Sequence, residues 1–436
     1  MKSPRFNRTA DPRAPVPAPQ SSAVSRADRV SLWPLLALLG TLVVTSAIRL
    51  RLLSMPLERD EGEYAYAGQL ILQGHPPYER LYNMKWPGTY YCYALFEALF
   101  GQSIEGIHLG VLAINLIAIV LVFLICRRLL DAVAAAAAAV AYALLSLSPG
   151  TLGFAGHATH FVVLFGLAGI LCLQRAFERQ RLAFFFLAGL FAGLAPLMKQ
   201  PGIVFTGFVA AFWAWQEVRS ASRDWRQTGG LLVPDYLTPL SIMLTSLWPT
   251  RREWRQTMLR GAVLIAGILL PFVVLLVSLW ASHTLGAFSL WTISYARYYG
   301  EPLNGHVFRN FLDSFRLVVG DGILFWVVAG LGLLALPLNS RTRAAAPFLL
   351  GLLFCSFLGV LPGLTFREHY FIVMLPAVAL LVGAAVSVTR GRLLPRFPSW
   401  ATASTFALVL IPLSTACGME GAFYFWLTPD QACRHV

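Results

Sequence analysis

The sequence predicts an all-α, polytopic integral membrane protein with about 11–12 transmembrane helices. Hydrophobic residues make up 57% of the chain and charged residues only 13%, whereas a soluble domain carries about a quarter charged residues. The apolar residues come in long runs almost free of charge, such as 107–125, 261–281 and 370–388. Backbone groups in lipid must bond to each other, within helices or closed barrels. Because the alternating pattern of a barrel strand is absent, we interpret the runs as helices.

These runs divide the chain into a tail, a membrane domain and three long connections. Residues 1–30 are rich in proline and in Lys/Arg, which predicts a disordered cytoplasmic tail, and residues 31–436 predict a single membrane domain. We expect a first outer loop at 49–105, a cytoplasmic loop at 217–260 and an outer loop at 282–322. The predicted spans are 31–48, 106–126, 131–148, 160–174, 183–198, 201–216, 261–281, 323–338, 345–363, 370–388 and 400–417.

The basic residues predict the orientation in the membrane. Most Lys and Arg lie in the tail and in every second connection, for example at Arg127-Arg128, and the positive-inside rule places these segments in the cytoplasm. Full crossing by the apolar helix at 89–100, which contains Glu97, would reverse this bias. We therefore interpret it as a half-crossing or interfacial helix on the outer side. The proline-broken stretch 231–248 predicts an interfacial hairpin.

The net charge and the cysteines of the chain limit the classes of partner and metal site that the protein can have. The formal net charge is +13, but the basic residues form short clusters between apolar runs, so they act as topology determinants and we expect no nucleic-acid partner. The six cysteines show no CxxC and no zinc spacing. Cys417 and Cys433 fall on one predicted side of the membrane. They form either a disulfide or two separate thiols, and we favour two separate thiols.

The first outer loop carries the densest set of reactive side chains. Asp60 and Glu61 follow the first span, and the spacing of apolar residues after them predicts an amphipathic surface helix that Gly74 ends. The chain turns back at His75, and Lys85 precedes the half-crossing helix. Carboxylates, a histidine and a lysine thus return to one membrane edge, where such groups are usually functional. The alternative is a solvated loop whose charges merely flank the spans.

The order of these features resembles the C-type glycosyltransferase superfamily, in the family 39-like branch of protein O-mannosyltransferases and the lipid A aminoarabinose transferase. An Asp-Glu pair, a surface helix, a proline-rich turn and a Lys-x-Pro opening follow one another as they do there. The segment LAGLFAGLAPLMKQPG resembles an element of that branch and places Lys199, Gln200 and Pro201 at an outer helix end. The segment TFREHYFIVMLP resembles a late helix start, here with one residue between Arg367 and His369.

This resemblance implies a C-type glycosyltransferase-like fold and a specific reaction. It implies an enzyme that moves a sugar, with inversion, from a polyprenyl-phosphate donor to an outer-side hydroxyl on a lipid, glycan or protein. Asp60 would be the base that takes the hydroxyl proton, with Glu61 orienting it or binding a cation. Lys85, Lys199 and Arg367 would bind the donor phosphate. The substrate-binding residues implied are His75, Trp86, Gln200, His369 and Tyr370.

A divalent cation is the cofactor that the resemblance suggests for this site. His157 and His160 stand where relatives often have an acidic residue, and two histidines at i, i+3 can hold a metal. We favour capping roles for them over a metal role. Asp60 and Glu61 are the other candidate ligands. Met84 stands where many relatives have glutamate.

The loop at 282–322 is expected to cover the acceptor side. It carries Trp291, Tyr295, Tyr298 and Tyr299, which suit a sugar ring and equally suit an interfacial aromatic belt. We expect the active site on the periplasmic or extracellular side of the cell membrane, inner or plasma, in contact with membrane lipids.

Two other functional classes remain open. The first is a transporter or flippase for a lipid-linked saccharide, which would need charged groups in mid-membrane on a path to the cytoplasm. The middles of the predicted spans lack such groups, which favours an enzyme. The second is a non-catalytic scaffold, which no residue of the sequence excludes.

Overall fold

The computed structural model describes residues 32–227, 251–299 and 306–436, and the regular structure in these ranges is helical, with no strand. A helix occupies the position of each predicted span. The principal helices are α1 (Trp33–Arg51), α2 (Arg59–Leu72), α3 (Gly88–Phe100), α4 (Ile104–Leu129), α5 (Ala132–Leu145), α6 (Ala158–Arg179), α7 (Leu182–Met198), α8 (Ile203–Gln227), α9 (Arg251–Ala281), α10 (Val307–Gly320), α11 (Ile323–Ala335), α12 (Ser340–Leu358), α13 (Leu375–Leu393), α14 (Pro398–Gly421) and α15 (Pro429–His435).

Several helices of the described chain have the length and the apolar composition of membrane spans. Seven of its helices are long and apolar enough to cross a bilayer, or up to 8 if a bent pair at 307–338 counts as one span. Helices α5 and α7 are apolar but shorter. The structure therefore confirms the predicted fold class, a polytopic all-α integral membrane protein.

Helices α2 and α3 pack against each other as a pair. Glu58 caps α2 in a capping box with Glu61, and Gly74 ends the helix with a φ of +88°, a conformation that glycine adopts without strain. Helix α3 has 13 residues and is about 20 Å long, too short for a hydrocarbon core of about 30 Å. Gly68 allows the close approach of the pair, because a Cβ there would lie 2.8 Å from the Ala94 nitrogen.

The connection between α5 and α6 is fixed by a buried arginine. The Arg49 guanidinium, at the end of α1, donates to the carbonyl oxygens of Gly153 and Phe154, both at 2.9 Å. Burying a charge requires such compensating hydrogen bonds. The connection is therefore held in place, and it delivers His157 to the N-cap of α6.

Residues 307–338 form a sharply bent pair of helices. Helices α10 and α11 meet at an angle of 103°. At the bend, the Asp321 carboxylate accepts the Ser148 hydroxyl at 2.6 Å and the Gly150 N–H at 2.7 Å. Helix α10 also packs on the segment before α13, where the rings of Phe311 and Phe366 lie edge to face at 5.2 Å. The bend thus supports two connections that reach the candidate site.

Ion pairs hold the connections at the opposite end of the bundle from α2 and α3. Asp131 lies 3.6 Å from Arg390 and 3.7 Å from Arg341, and two further pairs join neighbouring helices there. These are Arg128–Glu178 at 3.1 Å and Arg260–Glu217 at 3.2 Å. Among the described residues, Arg128, Arg260, Arg341 and Arg390 therefore lie at one end of the bundle.

Some sequence predictions fall outside the described residues. These are the tail at 1–30, the hairpin at 231–248 and residues 300–305 of the second outer loop. All six cysteines are described, and all are free thiols. Cys417 and Cys433 are not joined to each other in this structure.

Candidate active site

A cavity of about 450 Å³ opens at the end of the bundle that carries α2 and α3. It lies where α2, the first-loop segment at 82–85, the α7–α8 connection, the helical segment at 285–299 and the connection before α13 meet. Its lining combines carboxylates, cations, a histidine and aromatic rings. The lining residues are Arg59, Asp60, Glu63, Tyr82, Asn83, Met84, Lys85, Lys199, Gln200, Pro201, Thr292, Tyr295, Ala296, Pro362, Gly363, Thr365, Arg367, His369 and Tyr370.

Lys85 joins two carboxylates of α2 at the cavity wall. Its Nζ lies 3.1 Å from Asp60 Oδ1 and 3.2 Å from Glu63 Oε2, and 4.5 Å from the centre of the Tyr64 ring. Burial acts to raise the pKa of Asp60, but its cationic surroundings, chiefly Lys85, outweigh burial, and the pKa is lowered. Asp60 is therefore ionised at neutral pH and can accept a proton.

Glu63 is a cavity residue that the sequence interpretation did not select. Its Oε1 accepts hydrogen bonds from Asn83 and from the Tyr90 hydroxyl, while Oε2 contacts Lys85. The available signal was helical spacing, because Glu63 follows Asp60 by three residues and so shares its face of α2.

Glu61 does not line the cavity but supports it. Its carboxylate is fully buried. It accepts the N–H of Glu58 at 3.0 Å and the N–H of Gly156, and lies 3.4 Å from His108 Nε2. Burial acts to raise the pKa of Glu61, but the hydrogen bonds and charge of its partners lower it. Glu61 therefore ties the start of α2 to the connection that carries His157.

Two histidines from distant parts of the sequence meet beside Asp60. The rings of His157 and His369 are stacked, with centroids 4.1 Å apart and planes inclined by 9°, and His157 Nδ1 lies 3.9 Å from Asp60 Oδ2. Potential ligand atoms of the three residues all lie within 4.8 Å of one another. Both ring nitrogens of His157 are buried without a hydrogen-bond partner. Burial lowers the pKa of His157 to about 4, although Glu61 and Asp60 act to raise it, so its ring is neutral.

This trio partly matches the metal candidates from the sequence. Asp60 and His157 belong to it, whereas Glu61 and His160 do not. Its third member is His369, which the sequence analysis assigned to substrate binding. Neutral imidazoles and a carboxylate are ligands that suit zinc and similar ions. Because the two ring planes are nearly parallel, one ring must turn before both in-plane lone pairs meet at one ion.

Lys199 is a buried cation at the cavity wall. It is 8% exposed, and its Nζ lies 4.0 Å above the centre of the Tyr370 ring. Burial, together with the nearby charge of Lys85, lowers the pKa of Lys199 to about 7, although Asp60 acts to raise it. The neighbouring Gln200 donates to the Met84 carbonyl at 2.6 Å, which ties the α7–α8 connection to the first loop.

Not every residue predicted for substrate binding reaches the cavity. Arg367, Gln200, His369 and Tyr370 line it together with both lysines. His75 instead pairs with Glu79 at 2.8 Å in a more exposed part of the loop. Trp86 packs edge to face on Phe272 and Phe288, each at 5.8 Å. His75 and Trp86 therefore shape the first loop rather than the cavity wall.

Aromatic residues of the second outer loop lie at the cavity mouth. The ring of Trp291 lies 5.5 Å from that of Tyr82 and 5.4 Å from that of Tyr295. Trp291 belongs to a π-helix, Leu290–Tyr295, a distortion that is frequent at functional sites. Tyr82 is 69% exposed and so leaves ring surface open at the mouth. Tyr298 and Tyr299 have no described side chains.

Comparison with known proteins places this fold and this cavity in context. Residues 84–242 match a family described as dolichyl-phosphate-mannose-protein mannosyltransferase. No curated protein matches the chain significantly. A solved structure of ArnT from Cupriavidus metallidurans in the apo state is 16% identical, with a TM-score of 0.56, over 92% of this chain and 76% of that one. The Archaeoglobus fulgidus oligosaccharyltransferase in complex with Zn and sulfate is 14% identical, with a TM-score of 0.50, over 88% of this chain and 53% of that one.

These comparisons show a shared fold and a partial family match. The chain has the membrane fold of the ArnT structure, and the match to the mannosyltransferase family covers residues 84–242, about a third of the chain. This chain spans about half the length of the archaeal oligosaccharyltransferase that it resembles.

Proposed function

We propose that this protein is a membrane glycosyltransferase that moves a sugar from a polyprenyl-phosphate donor to an acceptor hydroxyl. The single observation that supports this most strongly is the cavity in which Asp60, Lys85, Lys199 and Arg367 converge. The description of the matching family names a dolichyl-phosphate-linked sugar, which has the same lipid phosphate chemistry. The membrane domain at 31–436 would then present one site at one face of the bilayer.

The cations of the cavity suit the donor phosphate. Lys85, Lys199 and Arg367 come from three separate connections and line one cavity. Charge-assisted hydrogen bonds to a phosphate are short and strong. The same three groups would stabilise the negative charge that develops on the phosphate as it leaves the sugar.

Asp60 suits the role of general base. In a single inverting displacement, the acceptor oxygen forms a bond to the anomeric carbon while the bond from that carbon to the phosphate oxygen breaks. The hydroxyl proton passes to Asp60, and the leaving polyprenyl phosphate keeps the electron pair. The lowered pKa of Asp60, in which Lys85 outweighs burial, keeps the carboxylate ready for the proton.

The site is proposed to face the periplasm or the exterior. This assignment rests on the basic residues at the opposite end, including Arg128, Arg341 and Arg390, which the positive-inside rule places in the cytoplasm. A polyprenyl carrier reaches such a site from the lipid, and an acceptor on the outer side reaches it from water.

We also infer that a divalent cation, when bound, is held by Asp60, His157 and His369. The orphaned nitrogens of His157 are the observation that favours a ligand there, since a buried polar atom without a partner is costly. The archaeal structure named above contains Zn. A cation would supply positive charge beside Asp60, which fixes the orientation of that carboxylate.

A donor screen tests the proposed function. Purified protein in nanodiscs would receive polyprenyl-phosphate sugars or nucleotide sugars, and product would be measured by mass spectrometry. We expect transfer from polyprenyl-phosphate sugars only. Transfer from nucleotide sugars alone would contradict the proposal. Movement of a lipid-linked sugar across a liposome membrane, without transfer, would favour a transporter.

A further inference from the structure

Lys85 already has two of its three hydrogen-bond donors engaged by carboxylates. Its ammonium group carries three N–H bonds. Two of them meet Asp60 Oδ1 at 3.1 Å and Glu63 Oε2 at 3.2 Å, and the face of the Tyr64 ring lies at 4.5 Å. The side chain is also mostly buried, at 14% exposure. A phosphate that draws the ammonium group toward the cavity therefore competes with these two carboxylates for it.

Asp60 and Glu63 differ in the contacts that they make besides the one with Lys85. Glu63 keeps hydrogen bonds from Asn83 and Tyr90 if Lys85 moves. Asp60 Oδ1 has Arg59 as its other cationic contact, at 3.4 Å, and that arginine is 78% exposed. The exposed contact is weak, so Lys85 is the main cationic partner of Asp60, and its withdrawal leaves Oδ1 open to another donor.

We propose that the donor phosphate and Asp60 compete for the ammonium group of Lys85, so that the arrival of the donor frees the Asp60 oxygen that receives the acceptor proton. This inference rests on the function proposed above. Before the donor binds, Lys85 and Arg59 occupy Oδ1. Once Lys85 turns to the phosphate, the acceptor hydroxyl can donate to Oδ1. The base is thereby exposed only when the donor is in place, which limits reaction of the site with other groups.

A double-mutant cycle on phosphate binding tests the competition. The probe is a synthetic polyprenyl monophosphate, and its dissociation constant is measured by native mass spectrometry with protein in nanodiscs. We expect Asp60→Asn to bind the probe about tenfold more tightly than the native protein, because Lys85 is released in advance. In a Lys85→Gln background, the same Asp60→Asn change should alter affinity less than about twofold.

The matched control is Glu79→Gln, which removes a carboxylate of the same loop that does not line the cavity. Its affinity should equal that of the native protein. Asp60→Ser serves as a second neutral variant if Asp60→Asn does not yield folded protein.

The other possible results separate a failure of the competition from a failure of the proposed function. Unchanged or weaker binding by the neutral Asp60 variants would overturn the competition while leaving the proposed function intact. A gain that persists in the Lys85→Gln background would also overturn it, because simple charge repulsion by Asp60 would then suffice. If the native protein bound the phosphate no better than the unphosphorylated polyprenol, the proposed function would fail, and the competition with it.

Discussion

The imidazole rings of His157 and His369 are stacked face to face, with centroids 4.1 Å apart, next to Asp60. One ring comes from the N-cap of α6 and the other from the short helix at Glu368–Val373. Burial lowers the pKa of both rings, so the pair is neutral and does not repel. This contact joins the first half of the membrane domain to the second at the cavity wall.

Substitution of each stacked histidine tests whether the pair belongs to a metal site. We expect His157→Ala and His369→Ala to lose most bound zinc after purification, measured as metal per protein by mass spectrometry, because each removes one of three ligands. His75→Ala is the control, since His75 pairs with Glu79 outside the cavity. Equal metal content in all three variants would exclude these ligands.

Neutralising Asp60 tests the base. We expect Asp60→Asn to lower the rate of transfer by about 10²–10⁴ at saturating donor, because amide nitrogen and oxygen cannot take the acceptor proton. The measurement is a single-turnover assay with a polyprenyl-phosphate sugar. Glu79→Gln, in the same loop, should retain the native rate. A native rate in Asp60→Asn would show that another group accepts the proton.

Lys199 predicts a pH dependence of phosphate binding. Burial, the largest cause, lowers its pKa to about 7 in the free protein, so the amine is charged below that pH and neutral above it. A phosphate monoester is already a dianion there, so affinity should fall as pH rises from 7 to 9, by up to about tenfold per unit.

Lys199→Arg provides the comparison for that pH profile, because arginine stays charged throughout this range. Its affinity for a polyprenyl monophosphate should be nearly constant from pH 7 to 9. A native profile as flat as that of the arginine variant would show that Lys199 does not hold the phosphate.

Glu61 predicts a loss of stability that extends to the site. In Glu61→Gln, an NH₂ group replaces one carboxylate oxygen. The N–H of either Glu58 or Gly156 would then face another donor and lose its acceptor. We expect a cost of about 1–3 kcal/mol, seen as a lower midpoint of thermal unfolding in detergent. Turnover should fall with it, because Gly156 precedes His157. Normal stability with low turnover would instead indicate direct participation in the chemistry.

Exposed positions at the two ends of the bundle test the orientation. In a background without native cysteines, Tyr82→Cys should react with a membrane-impermeant maleimide in intact cells, whereas Arg341→Cys should not. Tyr82 is at the cavity mouth, and Arg341 pairs with Asp131 at the other end. The reverse pattern would place the cavity in the cytoplasm and contradict the proposed outer-side acceptor.

The sequence by itself determined the membrane architecture. Long apolar runs can be satisfied in lipid only as helices, so the helix positions, including the short α3, followed from local composition. The surface helix α2 followed in the same way from its spacing and from Gly74. Asp60 and Lys85 could be selected because they lie in one loop, close together along the chain.

Only the tertiary structure decided which distant residues share the cavity. The meeting of Asp60, His157 and His369 depends on how Arg49 and Glu61 hold one connection and how the bend at Asp321 supports another. No local pattern encodes such contacts, because they arise from packing between helices far apart in sequence. For the same physical reason, the sequence could not show that Glu61 is fully buried or that Lys85 is shared between Asp60 and Glu63.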